Sequence, residues 1–220
     1  MGQVISASLA GAAARSSRVR LKSCRPTDGR RLGLEGMIQW MVKDADFDLL
    51  AVPGQLPSPM GFDGSPSKSL ALGRFVTAVE RESEALGDRK EPIQLHNLEG
   101  GAPAPVLGIT GTGGAGKSSF TDEWVLRFLR EFPDRRIAIL AVDPTKRQSR
   151  GALLGDRIRM NAIYGPRVFM RSLATRGSSG EISNSLSHVL KGVTRAGFDL
   201  VIVETSGIGQ GASAIVDLCN

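Results

Sequence analysis

The C-terminal half of the chain alternates short apolar runs with stretches of helical spacing. The apolar runs lie at residues 106–110, 137–142, 168–170 and 200–203, and the helix-like stretches lie near 118–131, 152–163 and 181–196. Apolar runs of this length are typical of strands that are buried on both faces. Because strands alternate with helices, the pattern predicts an α/β fold: a mostly parallel sheet with helices on both faces.

The N-terminal part lacks this alternation. Residues 1–20 carry no apolar periodicity, and we expect a disordered or targeting-like tail. Residues 21–31 are expected to form a short strand and a turn, with the turn at 26–29 because Pro, Asp and Gly favour turns. Residues 32–43 carry apolar side chains at helical spacing and predict a helix.

Residues 49–102 are predicted to be a linker that contains one helix. Four Pro and three Gly among residues 49–66 indicate a loop. An apolar stripe that includes Leu72, Phe75 and Val79 predicts a helix at 67–87. The main domain then covers residues 103–220, which is short for a nucleotide-binding domain that must also recognise a base. We therefore interpret the domain as incomplete and the chain as part of a longer protein.

A glycine-rich loop follows the first apolar run and precedes the first helix-like stretch. This phosphate loop reads Gly111, Thr112, Gly113, Gly114, Ala115, Gly116, Lys117 and Ser118, with Ser119 next. Its glycines allow backbone N–H groups to converge on phosphate oxygens, and a helix N-terminus favours anions. Lys117 is expected to reach the β and γ phosphates, and the Ser118 hydroxyl is expected to ligate Mg²⁺. The motif predicts a P-loop NTPase.

Two acidic residues follow apolar runs and are candidates for the metal shell. Asp143 follows residues 137–142, and Glu204 follows residues 200–203. Parallel strands end at the same sheet edge, so both acids are expected beside the phosphate loop; the alternative is that either one only caps a loop. The backbone N–H of Gly207 is a candidate partner for the γ-phosphate, and Gln210 could orient a water or simply lie at the surface.

Asp156 and Arg159 lie between the second and third apolar runs. A loop there could bring the acid to Mg²⁺ and the arginine to the γ-phosphate, although a solvated helix face fits the spacing equally well. No Asn-Lys-x-Asp motif for guanine is present. An ATPase for metal or cofactor insertion and an inactive truncated product therefore stand as alternatives to a GTPase.

Charge and cysteine content restrict the partners. The net charge is +6, but residues 1–31 hold seven Lys/Arg and one acid, so the remainder is balanced and we expect no nucleic-acid partner. No apolar run is long enough to span a bilayer, so we expect no membrane partner. Cys24 and Cys219 form no disulfide framework, which favours a reducing, cytoplasmic location. An organellar matrix is the alternative, because residues 1–25 are rich in Ala, Ser and Arg.

Residues 105–220 resemble the G-protein chaperones of adenosylcobalamin-dependent acyl-CoA mutases. The resemblance lies in Gly-Ile-Thr-Gly-Thr-Gly-Gly-Ala-Gly-Lys-Ser-Ser at 108–119, Ala-Val-Asp-Pro-Thr at 141–145, Gly-Ala-Leu-Leu-Gly-Asp-Arg-Ile-Arg-Met-Asn at 151–161 and Val-Glu-Thr-Ser-Gly-Ile-Gly-Gln at 203–210. It implies GTP and Mg²⁺ as ligands, a metal and switch region formed by Asp143, Asp156 and Glu204, and contact of Arg159 with the γ-phosphate. Lys117, Arg159 and Glu204 are then the catalytic candidates.

The upstream sequence narrows the resemblance to the fused isobutyryl-CoA mutases. Pro-Thr-Asp-Gly-Arg-Arg-Leu-Gly-Leu-Glu-Gly-Met-Ile at 26–38 is similar to the end of a cobalamin-binding domain, so residues 21–48 are expected to be its C-terminal remnant. The resemblance implies mutase and cobalamin-binding domains in the same parent chain, a homodimeric parent, and adenosylcobalamin bound only by that parent. The chain departs from the pattern where Gly-Ala-Ser follows Gln210 and where the cobalt-ligating Asp-x-His-x-x-Gly motif is missing.

Overall fold

The computed structural model describes residues 26–45, 59–86, 102–143, 160–174, 185–205 and 215–219, and its chain divides into two compact units, Met1–Val52 and Pro53–Asn220. The described helices are α1 (Pro26–Ala45), α2 (Pro66–Leu86), α3 (Lys117–Glu131), α4 (Leu186–Val193) and a 3-10 turn at Ala162–Tyr164. The described strands are β1 (Val106–Ile109), β2 (Ile137–Asp143), β3 (Val168–Ala174) and β4 (Leu200–Thr205).

Helix α1 lies in the first unit and begins earlier than the sequence predicts. The expected turn at 26–29 is wrong, because the helix already starts at Pro26, a residue whose fixed φ suits the first helical position. The interruption falls instead at Gly33, which has φ 63° and ψ 177°. The strand expected before the turn falls partly on residues 21–25, which lie outside the described residues.

The four described strands form a single parallel sheet in the second unit. Their order is β1-β4-β2-β3, so β4, the last described strand in sequence, is inserted between β1 and β2. All four strand predictions and the parallel α/β class are confirmed. Strand β3 extends beyond the predicted 168–170 and ends at Ala174. The prediction was too short because Arg171 and Ser172 interrupt the apolar run, although the strand continues through them.

The two faces of the sheet bury separate sets of side chains. Ala138, Leu140 and Val142 of β2 face one side, whereas Ile137 and Ile139 face the other, as the two-residue period of a strand requires. The first face is covered by α2 and α4, and the second is covered by α3 and the 3-10 turn. The sheet therefore has helices on both sides, and its strand ends remain available for a site.

Helix α2 and the residues before it pack into this core. The Phe62 ring is 2% exposed and contacts the rings of Phe169 and Phe198, while its N–H donates to the Ala196 carbonyl at 2.6 Å. Helix α2 adds a stripe of buried side chains to the same cluster, namely Leu72, Phe75, Val76 and Val79. The sequence predicted the helix but placed it in a linker; the structure includes it in the compact unit of the sheet.

A glycine in α4 permits the close approach of α2. A Cβ atom on Gly192 would lie 2.3 Å from Cζ of Phe75, a separation that packed atoms cannot tolerate. The helix predicted at 181–196 is observed as α4. Of the helix predicted at 152–163, residues 152–159 lie outside the described residues, and the described end contains only the 3-10 turn.

Candidate nucleotide-binding site

The phosphate loop joins the end of β1 to the start of α3, as its sequence predicts. Gly114 and Gly116 adopt φ values of 79° and 83°, in the left-handed region that other residues rarely enter. The loop is exposed, and the N–H of Ala115 donates to the Thr112 carbonyl at 3.2 Å to close a turn. The glycines are thus required by the backbone conformation that leaves the loop open to solvent.

Helix α3 presents an uncapped N-terminus to the loop. Its N-cap residue is Gly116, no side chain caps the helix, and its first turn contains no acidic residue. The first N–H groups of a helix have no partner within the helix, and the helix dipole adds positive potential at this end. This end of the helix can therefore accept phosphate oxygens.

Lys117 folds over the phosphate loop. Its Nζ donates to the carbonyl oxygens of Gly111 and Thr112, each at 3.1 Å. Both partners are neutral backbone groups, so an entering anion would be a stronger hydrogen-bond partner for the ammonium. The position supports the predicted role of Lys117 at the phosphates.

Glu204 meets the phosphate loop from the neighbouring strand. Residue Glu204 pairs with Ile109 in the register of β4 and β1, and its side chain is 5% exposed. The Ser118 hydroxyl donates to Glu204 Oε1 at 2.5 Å, although 86 residues separate the two in sequence. The structure therefore brings together the serine and one of the two strand-end acids that the sequence selected for the metal.

A second hydroxyl in contact with Glu204 was missed by the sequence analysis. Thr121 of α3 is completely buried, and its Oγ1 lies 3.1 Å from Glu204 Oε2 and 3.0 Å from the Lys117 carbonyl. The residue after Glu204, Thr205, donates from its Oγ1 to Thr110 Oγ1 at 3.0 Å and links the ends of β4 and β1. The available signal was a threonine one helical turn after Ser118, on the buried face of α3.

The donors of this site suit a magnesium ion. The Ser118 hydroxyl and the Glu204 carboxylate are hard oxygen ligands, the type that Mg²⁺ prefers. Within the described residues, no ion pair involves Glu204, so its buried carboxylate is held only by hydroxyls. A buried carboxylate without a cation is costly, which makes the site receptive to one. The described residues contain no cluster of three or more His, Cys, Asp or Glu.

The remaining predicted site residues are described only in part. The β2 backbone ends at Asp143, two positions after Ala141, which pairs with Glu204, so Asp143 lies at the same sheet edge. The structure describes the backbone of Asp143 but not its side chain. Asp156, Arg159, Gly207 and Gln210 lie outside the described residues, so their roles stay predictions.

The segment after Arg159 is fastened to α3. Asp122, next to Thr121, accepts hydrogen bonds from the Ala162 N–H at 2.7 Å and from Asn161 Nδ2 at 3.2 Å. Met160 is 1% exposed and belongs to the core cluster on this face of the sheet. Residues 160–162, which directly follow the predicted arginine, are thus held against α3, the helix that begins at the phosphate loop.

The parallel sheet, the phosphate loop and the contact between Ser118 and Glu204 define a P-loop NTPase domain. A family model described as "Methylmalonyl Co-A mutase-associated GTPase MeaB" matches residues 72–220. The chain belongs to this MeaB family. The match starts within α2, in agreement with the packing of that helix against the sheet.

Two fused mutases resemble the chain over most of its length, and a third protein resembles it over about half. It is 52% identical over 204 residues to "Fused isobutyryl-CoA mutase" of Geobacillus kaustophilus, which covers 89% of this chain and 18% of that protein. It is 50% identical over 193 residues to the protein of that name from Cupriavidus metallidurans, covering 87% and 17% respectively. It is 36% identical over 115 residues to "Methylmalonic aciduria type A homolog, mitochondrial" of Caenorhabditis briggsae, covering 52% and 28%. The chain thus spans less than a fifth of the length of the two fused mutases.

No helix in the described ranges is both long and apolar enough to cross a membrane.

Proposed function

We propose that this chain binds and hydrolyses GTP with Mg²⁺, and that it gates cobalamin loading and protection in an acyl-CoA mutase of the isobutyryl-CoA or methylmalonyl-CoA type. The observation that carries the nucleotide part is the hydrogen bond from Ser118 to Glu204 beside the phosphate loop. The role in a mutase is supported by the family match and by the sequence identity of 52% and 50% to two fused mutases.

Each described group has a separate task in this proposal. The backbone N–H groups of the phosphate loop and the N-terminus of α3 hold the phosphates, and Lys117 neutralises their charge. Ser118 and Glu204 would hold Mg²⁺, directly or through water, and the bound metal would offset the charge that develops on the phosphate oxygens. Asp143, Asp156, Arg159 and Gly207 are proposed to complete the metal and switch region.

In the wider role, the chain is part of a parent protein that also contains a cobalamin-binding domain and a mutase domain and that forms a homodimer. A tethered GTPase has a high effective concentration for its client, so even weak docking is sufficient. If nucleotide state changes cofactor binding, cofactor state must change nucleotide affinity by the same factor. We expect a guanosine triphosphate analogue to alter adenosylcobalamin affinity in the intact parent, measured by visible absorption. Identical affinities with and without nucleotide would contradict the gating role.

The nucleotide part is tested by titration calorimetry of a non-hydrolysable GTP analogue with Mg²⁺. We expect Lys117→Ala to abolish measurable binding, because the ammonium of Lys117 lies on the loop that would hold the phosphates. The control is Lys191→Ala, which removes an exposed lysine from α4 and should leave the affinity unchanged. Equal affinities of wild type and Lys117→Ala would reject the site, and tighter binding of the ATP analogue would favour the ATPase alternative.

A further inference from the structure

The carboxylate of Glu204 is held at both of its oxygens, and Thr121 holds the second one. The Thr121 hydroxyl lies 3.1 Å from Oε2, and the Ser118 hydroxyl donates to Oε1. We propose that Thr121 is a positioning residue that fixes the orientation of the Glu204 carboxylate toward the metal. This inference rests on the proposed function, since it assumes that Glu204 acts on Mg²⁺.

Glutamate needs such a support because its last torsion is soft. The terminal torsion between an sp³ and an sp² carbon has a broad minimum, so packing of the aliphatic part of the side chain does not set the plane of the carboxylate. Two hydroxyls on two different oxygens do set it. Removing one of them leaves Glu204 free to turn about the remaining hydrogen bond.

Ser118 and Thr121 are not equivalent supports. Ser118 is half-buried at the mouth of the loop and is also the expected metal ligand, so its oxygen serves two purposes. Thr121 is 0% exposed and lies one helical turn deeper. Because Thr121 lies away from solvent, losing its hydroxyl leaves a buried carboxylate oxygen without this donor. Thr121 is therefore the deeper support, and its single hydroxyl proton is shared between Glu204 Oε2 and the Lys117 carbonyl.

The Thr121 hydroxyl also reaches the Lys117 carbonyl at 3.0 Å, four residues earlier in α3. Such a bond alone would be an ordinary local contact of a helical threonine. Thr194 provides the comparison: its hydroxyl is buried and donates to the Leu190 carbonyl at 2.8 Å, and no carboxylate of the described residues is among its hydrogen-bond partners. A Thr194 variant therefore reports the cost of losing the local bond by itself.

The experiment compares four variants of the intact protein: Thr121→Val, Thr121→Ser, Thr121→Ala and Thr194→Val. Valine keeps the shape and loses the hydroxyl, whereas serine keeps the hydroxyl and loses the methyl group. The affinity for fluorescent GDP is measured over a series of Mg²⁺ concentrations and in EDTA, with thermal unfolding recorded alongside. GTP turnover is a second readout.

We expect Thr121→Val to raise the Mg²⁺ concentration for half-maximal tightening of GDP about 10-fold, the scale of losing a group that orients a metal ligand. The affinity in EDTA should not change, because the loop backbone holds the phosphates. Thr121→Ser should restore the Mg²⁺ dependence to within about 2-fold of the wild type, and Thr194→Val should leave it unchanged. If Thr121→Val does not fold, the Ser and Ala variants still differ by the hydroxyl alone.

Two results would overturn the inference while leaving the proposed function intact. One is an unaltered Mg²⁺ dependence in every hydroxyl-free Thr121 variant. The other is a loss in Thr121→Ser as large as in Thr121→Ala, which would mean that the methyl group and its packing matter. A wild-type protein that binds GDP without any response to Mg²⁺ would instead reject the role of the metal, and with it the proposed function.

Discussion

At the scale of single residues, Glu204 is the group on which the described site converges. It is buried, it pairs in register with the strand that enters the phosphate loop, and it accepts hydrogen bonds from two hydroxyls of α3. The Glu204 carboxylate has no cationic partner among the described residues. A bound cation would therefore offset the free-energy cost of burying it.

Replacing Glu204 should separate hydrolysis from binding. We expect Glu204→Gln to lower kcat for GTP by about 10-fold or more, with a smaller effect on the affinity for a GTP analogue, because the loop backbone still holds the phosphates. Steady-state GTPase assays and calorimetry on the same preparations measure the two quantities. Glu123→Gln changes an exposed glutamate of α3 whose carboxylate pairs with Arg127, and it is the control. An unchanged kcat in Glu204→Gln would remove this residue from the site.

At the scale of elements, the position of α2 against α4 depends on a missing side chain. Gly192 lies in α4 directly beneath the ring of Phe75, which is itself buried in the core. A helix normally gains stability when glycine is replaced by alanine, so this glycine lowers the intrinsic stability of α4 in exchange for a closer helix contact.

Two glycine-to-alanine changes should therefore alter the free energy of unfolding in opposite directions. Gly192→Ala should lower the free energy of unfolding by about 1–3 kcal/mol, because the new methyl group forces the Phe75 ring to move. Gly73→Ala in α2 should raise it by up to about 1 kcal/mol, since nothing lies within 4 Å of the added Cβ. Urea unfolding followed by circular dichroism measures both values. A stabilised Gly192→Ala would show that the contact with Phe75 is not as close as described.

At the scale of the whole molecule, the compact unit Pro53–Asn220 begins well before the first strand. The described residues before Ala102 in this unit contribute five core side chains, each at most 5% exposed: Phe62, Leu72, Phe75, Val76 and Val79. At about 1.5–3 kcal/mol for each buried side chain, this contribution is comparable with the total stability of an ordinary domain, about 5–15 kcal/mol.

Truncations should reveal this dependence. A chain that starts at Pro53 should keep a cooperative thermal transition and GTP-analogue binding, because it retains the whole unit. A chain that starts at Ala102 should lose the cooperative transition, since one face of the sheet loses its cover of five apolar side chains. Differential scanning calorimetry compares the two. Equal transitions in both truncations would support the linker that the sequence analysis assigned to residues 49–102.

The sequence by itself determined the class of the protein. The phosphate loop, the four strands, helix α3 and the acid at the end of β4 were all predicted, because each depends on a local pattern: an apolar period, a glycine at a positive φ, or a fixed order of loop residues. The expected turn at 26–29 failed for a related reason. Pro26 also suits the first position of a helix, so local chemistry alone did not exclude one.

Only the tertiary structure decided which distant residues meet. Thr121 and Glu204 are 83 residues apart, and their contact exists because β4 is inserted between β1 and β2, an order that no sequence period encodes. The packing of Phe62 and α2 against the sheet is similar. A Pro- and Gly-rich segment indicates a loop, but the burial of Phe62 depends on the rings of Phe169 and Phe198. The close packing of α2 depends on the space that Gly192 leaves for Phe75. Local sequence patterns determine which segments form helices, strands and turns. Burial and long-range contacts depend instead on which apolar faces meet when the whole chain folds.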